Sequence, residues 1–143
     1  MKLVIGSDHG GYALKEDIKK TLSSMGMEFD DCGVRDESSV DYPEIARKLC
    51  NAIIDGKYDR GILLCGTGIG VSIVANRIKG IRAALCGDVF SAKMSREHND
   101  ANVLCLGGRV TGPGLADMIV RTWLDTPFGG GRHLRRIEMI DDK

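Results

Sequence analysis

The chain has no excess of either charge, no CxxC pair, no metal-knuckle spacing and no apolar run of membrane-spanning length. Its 20 Lys and Arg balance 20 Asp and Glu, so no bulk field draws nucleic acid or an anionic membrane. An anionic ligand therefore needs a local cluster of donors. Aromatic residues are only 5% of the total, and none interleaves the one basic stretch, which argues against a nucleic-acid surface. The five cysteines, Cys32, Cys50, Cys65, Cys86 and Cys105, cannot all pair with one another. With no signal peptide in view, they are read as reduced thiols of a cytoplasmic protein with no zinc. No repeat, low-complexity segment or long linker divides the 143 residues, a length that suits one domain over 1–143.

What is present is an alternation. Apolar runs at 2–7, 60–65, 81–86 and 102–108, with a poorer one at 27–33, read as strands. Between them lie segments of helical period: Leu14, Ile18 and Leu22; Ile45, Leu49 and Ile53; residues 69–78; residues 88–97; and a run after Pro113 through Ile119, Val120 and Trp123. Residues 132–140 form a last predicted helix. Continuous apolar strands alternating with helices predict an α/β fold whose parallel sheet is covered on both faces. Ligands in such folds sit beyond the carboxyl ends of the strands. "SDHGG", "CGTGIG", "CGD" and "GGR" are the segments that follow those ends.

"CGTGIG" is the most informative of them. Gly66, Gly68 and Gly70 permit torsions closed to other residues and remove Cβ atoms, so backbone N–H groups can converge on a negative charge. A following helix adds its positive end. The dinucleotide fingerprint matches only in part: Val71 stands where its third glycine belongs, although Asp88 ends the next strand as a ribose-binding acid would. A P-loop ending is missing. A plain strand-to-helix turn would use the same glycines. Cys65, directly before the loop, is singled out as a nucleophile or proton-abstracting base, since a thiol of ordinary pKa ~8.5 is made more acidic at a helix N-terminus. The other four cysteines are read as small buried hydrophobes.

The three histidines are His9 in "GSDHGG", His98 in "SREHNDAN" and His133 in "GGGRHLRR". Strand-end convergence is expected to bring His9, with its neighbour Asp8, towards His98. In the tail, Arg132 and Arg136 are four apart and share a helical face, a spacing that suits a phosphate. A solvated basic face is the plainer reading of the same residues. Arg109 after the fifth strand is a further anion contact. Glycines 129–131 let the tail reach a neighbouring subunit.

Together, "GSDHGG", "CGTGIG", "EHNDANVLCLGGR" and "RHLRR" resemble the sugar-phosphate isomerase family of ribose-5-phosphate isomerase B and galactose-6-phosphate isomerase subunits. The likeness runs over essentially the whole chain. It implies a Rossmann-type three-layer sandwich with a five-stranded parallel sheet and an extending C-terminal helix. It also implies a homodimer or dimer of dimers with shared sites, in which segment 129–143 contacts a neighbour. The activity it implies is interconversion of ribose 5-phosphate and ribulose 5-phosphate through a cis-enediolate, with neither metal nor organic cofactor. By resemblance Cys65 is the base and His98 assists ring opening. Asp8 and His9 line the site, while Gly66, Thr67, Gly68, Ile69, Gly70 and Asn99 hold the enediolate oxygens. Arg109, Arg132 and Arg136 carry the phosphate, with His133 beside them. One family branch uses a later glutamate as base, but "VSIVANR" has no acid there, so the cysteine branch fits. Isomerisation of a six-carbon sugar phosphate, with size discrimination at residues such as Tyr42, is one alternative. A non-catalytic module for a nucleotide or sugar phosphate is another.

Overall fold

The computed structural model describes residues 1–142. Five parallel strands, β1 (Lys2–Ser7), β2 (Glu28–Asp31), β3 (Arg60–Cys65), β4 (Ala83–Leu85) and β5 (Val103–Gly107), form one sheet in the order β2-β1-β3-β5-β4. The helices are α1 (Tyr12–Ser24), α2 (Tyr42–Ile54), α3 (Ile69–Ala75), α4 (Val89–Glu97), α5 (Pro113–Asp125) and α6 (Arg132–Glu138).

Strand alternation divides the core into two layers. Leu3, Ile5, Ile62, Leu64, Leu104 and Leu106 pack with α1, α4 and α5 around the fully buried Trp123. Val4, Leu63, Cys65, Val103 and Cys105 face α2 and α3. Both faces of β1, β3 and β5 are thus buried, which is why those strands read as unbroken apolar runs. The two edges are weaker. β2 carries the acidic sequence EFDD, and β4 keeps only 3 of the 6 residues in its apolar run. Asn76 explains part of that loss. Its side chain bonds both the N–H and the carbonyl of Ala83, ending α3 three residues short of the expected 78 and opening β4 late.

Crossovers from β1 run in opposite directions, to β2 on one side and towards β3 and β5 on the other. The topological switch point therefore lies between β1 and β3, where a crevice opens at their carboxyl ends. Three backbone approaches close the floor of that crevice. A Cβ added at Gly10 would lie 2.9 Å from the Gly66 nitrogen, one at Gly108 would lie 2.5 Å from the Gly10 carbonyl oxygen, and one at Gly107 would lie 2.6 Å from the Thr67 carbonyl oxygen. Lys15 ties α1 to the end of β2 and to the loop beyond it. It is fully buried on α1, pairs with Asp31 at 2.8 Å and also donates to the Val34 carbonyl.

Gly107→Ala forces the end of β5 away from the β3 loop. Urea unfolding should register a loss of roughly 1–3 kcal/mol, the usual cost of overpacking. A neutral substitution would contradict the close approach.

Candidate active site

Cys65 ends β3 and is 6% exposed. Its Sγ accepts a hydrogen bond from the Gly68 N–H at 3.1 Å. This bond needs the loop to turn back on itself, and Gly68 does so with φ +79°, a left-handed conformation that favours glycine. A side chain there would also meet the Leu106 carbonyl carbon at 2.8 Å. Thr67 Oγ accepts from the Ile69 N–H at 3.2 Å and secures the turn into α3. Burial raises the other four thiols, the half-buried Cys32 among them. It pushes Cys32 and Cys86 up to about 11, Cys50 up to about 12 and Cys105 well above the ordinary thiol value. Those four stay protonated at neutral pH and serve as packing.

The surroundings of Cys65 come from the neighbouring strand ends. Arg109 follows β5, and its guanidinium lies over Gly66, 3.2 Å from where a Cβ would stand. The Tyr42 ring rests on Gly70, leaving no space for a side chain: Cε1 is 2.5 Å from the Cβ position. After β1, the buried Asp8 carboxylate accepts from the N–H groups of Gly10 (2.9 Å) and Gly11 (3.2 Å) and so shapes a 3₁₀ turn. His9 leaves that turn half-buried and accepts from the Val40 N–H at Nδ1, 3.4 Å away. An N–H donor at Nδ1 assigns the ring hydrogen to Nε2. Asp8, His9, Val40, Asp41 and Tyr42 line an adjoining cavity of about 550 Å³.

The other predicted residues form a second cluster. His98 caps the C-terminus of α4. Because α4 returns the chain from β4 to the start of β5, this cap lies at the amino ends of the strands. Cys65 lies at their carboxyl ends. Val103 to Gly107 alone spans roughly 13 Å of strand, more than a five-carbon sugar reaches. The expected convergence of His9 and His98 therefore does not occur within one chain. The reason is direction: His98 ends a helix that runs back from the carboxyl ends, whereas His9 directly follows a strand.

At the amino end, His98 stacks on His133, with ring centroids 4.3 Å apart and planes at 14°. Arg132, His133 and Arg136 lie on α6, where both arginines are exposed, and Asn99 is exposed beside His98. The glycine hinge does not send this tail away from the body. Gly129 N–H bonds the Glu97 carbonyl at 2.9 Å, and Asp141 accepts from the Gly80 N–H at 2.9 Å. The tail is tied to its own chain and turns Arg132, Leu134 and Arg136 outward. Lys143, the last residue of the segment expected to reach a neighbour, lies outside the described residues.

Asp88 offers no support to the dinucleotide reading, since its carboxylate caps α4 through the Ser91 N–H (2.7 Å) and hydroxyl (2.8 Å). The sequence reading missed the Ser39–Asp41 wall, which has no periodicity to mark it; Pro43 just beyond it was the nearest signal. Among the described residues no group of three His, Cys, Asp or Glu could hold a metal ion.

Partial burial, the stacked His98 and the flanking Arg132 and Arg136 hold His133 below the ordinary imidazole value, against the opposing pull of Glu97. An NMR titration should place its midpoint under ~6.5, and His98→Asn should raise it. A midpoint insensitive to that substitution would contradict the stack.

Known proteins share this fold and much of its sequence. A family model described as ribose/galactose isomerase matches residues 3–140. Ribose-5-phosphate isomerase B of Escherichia coli K12 is 47% identical over 97% of this chain and 93% of its own length. The solved ribose-5-phosphate isomerase B of Clostridium thermocellum is 53% identical, superimposes with a TM-score of 0.97, and the match covers 99% of this chain and 96% of that one. The corresponding Thermotoga maritima structure gives 52% identity and a TM-score of 0.96, over 99% of this chain and 98% of that one. The chain belongs to the ribose/galactose isomerase family.

Proposed function

We propose that the protein interconverts ribose 5-phosphate and ribulose 5-phosphate at two equivalent sites built by a pair of copies. The observation that carries this reading is the split of the candidate residues into two incomplete halves. One end of the sheet has a thiol under backbone N–H groups, with Asp8, His9 and Arg109. The other has His98, Asn99, His133, Arg132 and Arg136. In a two-fold dimer each carboxyl-end half meets the amino-end half of the other copy, and both contacts are the same. Apolar residues beside the loop support such a contact: Ile69 is 50% exposed, Ile73 55%, and Leu85, whose methyl group crowds Gly68, 44%.

The chemistry needs both halves. Ring opening moves a proton from the C1 hydroxyl to the ring oxygen, and His98 is the group that transfers it. The Cys65 thiolate then removes the C2 proton of the open aldose. The electron pair becomes a C1–C2 double bond, and negative charge forms on the C1 oxygen. Passage of the O2 hydroxyl proton to O1, and delivery to C1 of a proton from the Cys65 thiol, which exchanges with water while the enediolate persists, gives the ketose and restores the thiolate. N–H groups of the Gly66–Gly70 loop and the Asn99 side chain face the charge that develops, which lowers the barrier more than it stabilises the bound sugar. Arginines at the phosphate end supply binding energy that holds the carbons against the sulfur. No step requires a metal or an organic cofactor.

A six-carbon sugar phosphate is the second reading. The cavity of about 550 Å³ beyond His9 has room for a longer chain, and Tyr42 sets its width.

Subunit mixing tests the shared site. Cys65→Ala and His98→Ala should each abolish or strongly reduce ribose 5-phosphate turnover. Refolded together in equal amounts, they should recover about a quarter of wild-type activity, because half of the dimers are mixed and each of these has one intact site. No recovery from variants proven to mix would contradict a site shared between copies. Wild-type protein inactive on pentose phosphates but active on six-carbon ones would select the second reading.

A further inference from the structure

Asp100 has the only positive φ outside glycine among the described residues, +45°. It lies one residue beyond Asn99 and two beyond His98. An isolated left-handed residue costs energy and persists only when its surroundings over-determine it. Here they do. The Asp100 carboxylate reaches two guanidiniums: Arg96 at 2.8 Å and Arg82 at 3.5 Å. Arg96 is 3% exposed, donates to the Ala101 carbonyl at 2.7 Å and stacks its guanidinium over Trp123. Arg82 donates through Nε to the Asn99 carbonyl at 2.9 Å and through its terminal nitrogen to the Asp100 carbonyl at 3.0 Å. Two arginines therefore take three consecutive carbonyls, 99 to 101, and the one carboxylate between them.

This is more than helix α4 needs in order to end. The His98 N–H already bonds the Met94 carbonyl and the Asp100 N–H the Arg96 carbonyl, which completes the last turn. What the extra bonds fix is the direction in which residues 98 and 99 leave the helix. Arg96 connects that direction to the core through Trp123, and Arg82 connects it to the edge strand β4.

The geometry points to Asp100 as a positioning residue. Clamped between Arg82 and Arg96, it holds a left-handed turn that presents His98 and Asn99 to the reacting carbons in the other copy. This inference rests on the shared-site reading. The clamp touches neither the thiol half nor the arginines of α6. Its loss therefore misaligns proton transfer and leaves phosphate binding in place.

Three substitutions separate backbone shape from charge. Asp100→Ala loses both the carboxylate and the tolerance of positive φ. Asp100→Gly keeps the torsion and loses the charge. Asp100→Asn keeps the torsion and one acceptor for Arg96. The expected result is a kcat reduced about 10–100-fold in the alanine variant, with KM for ribose 5-phosphate within about twofold of wild type. Asn should recover most of the lost kcat, and Gly should fall between. Mixing Asp100→Ala with Cys65→Ala should restore activity, whereas mixing it with His98→Ala should not, because those two lesions fall in the same half. Should Asp100→Ala fail to fold, Arg82→Ala, at a partly exposed position, should show the same fall in kcat at unchanged KM.

Wild-type kcat in a folded Asp100→Ala or Arg82→Ala variant would overturn the inference. So would a loss of kcat that follows melting temperature equally across Ala, Gly and Asn. Failure of Cys65→Ala and His98→Ala to complement, in variants proven to mix, overturns the shared-site reading, whereas wild-type kcat in Asp100→Ala with that complementation intact overturns the positioning role alone.

Discussion

Close approach of bare backbone at the carboxyl ends of β1, β3 and β5 is the constraint on which the rest depends. Gly10 against Gly66, Gly107 against Thr67 and Gly108 against Gly10 leave no room for a Cβ at Gly10, Gly107 or Gly108. A sheet of five parallel strands opens a crevice at its switch point whatever its sequence. These glycines decide what lies in it. They bring the Cys65 loop against the His9 turn and lay Arg109 over Gly66. The bond from Gly68 N–H to Cys65 Sγ follows from the same compression, since the loop must fold back over the strand end for it to form.

The second consequence of the parallel sheet is separation. Each helix that follows a strand, α1 to α5, returns the chain to the amino ends, so chemistry placed at the C-terminus of such a helix is a strand length away from chemistry placed at a strand C-terminus. His98 and Cys65 are divided in this way. The proposed pairing of two copies would turn the separation into a way of completing the site, with the carboxyl ends of one sheet facing the amino ends of the other. It would place the phosphate anchors and the base on different chains, so that the proposed site exists only when the pair does.

Much of this was legible in the sequence. β1, β3 and β5 are buried on both faces and appear as plain apolar runs. α1, α2 and α5 show their buried stripes directly. Edge elements were harder to read. β4 shortens because Asn76 and Asn102 take over backbone groups that a longer strand would have paired. The Cys65 loop was visible because its glycines alternate, and the four packing cysteines because each lies in or beside an apolar run. Lys15 was not. A lysine on an amphipathic helix reads as solvated, and only the Asp31 carboxylate and Val34 carbonyl reveal why it is fully buried. Asp100 was invisible for a similar reason: its i,i+4 spacing from Arg96 reads as an ordinary helical pair, and the second arginine, Arg82, lies 18 residues away. The position of His98 was in fact encoded by element order, because a helix that precedes a strand ends at that strand's start.

Proton abstraction by sulfur is the step on which the proposed reaction turns. Incubating ribulose 5-phosphate with the protein in heavy water and following C1 by NMR tests it directly, without any ring to open. The expected result is steady replacement of a C1 hydrogen by deuterium with wild-type protein, and none above the uncatalysed rate with folded Cys65→Ala. Exchange at the wild-type rate in that variant would contradict a role for Cys65 as the base.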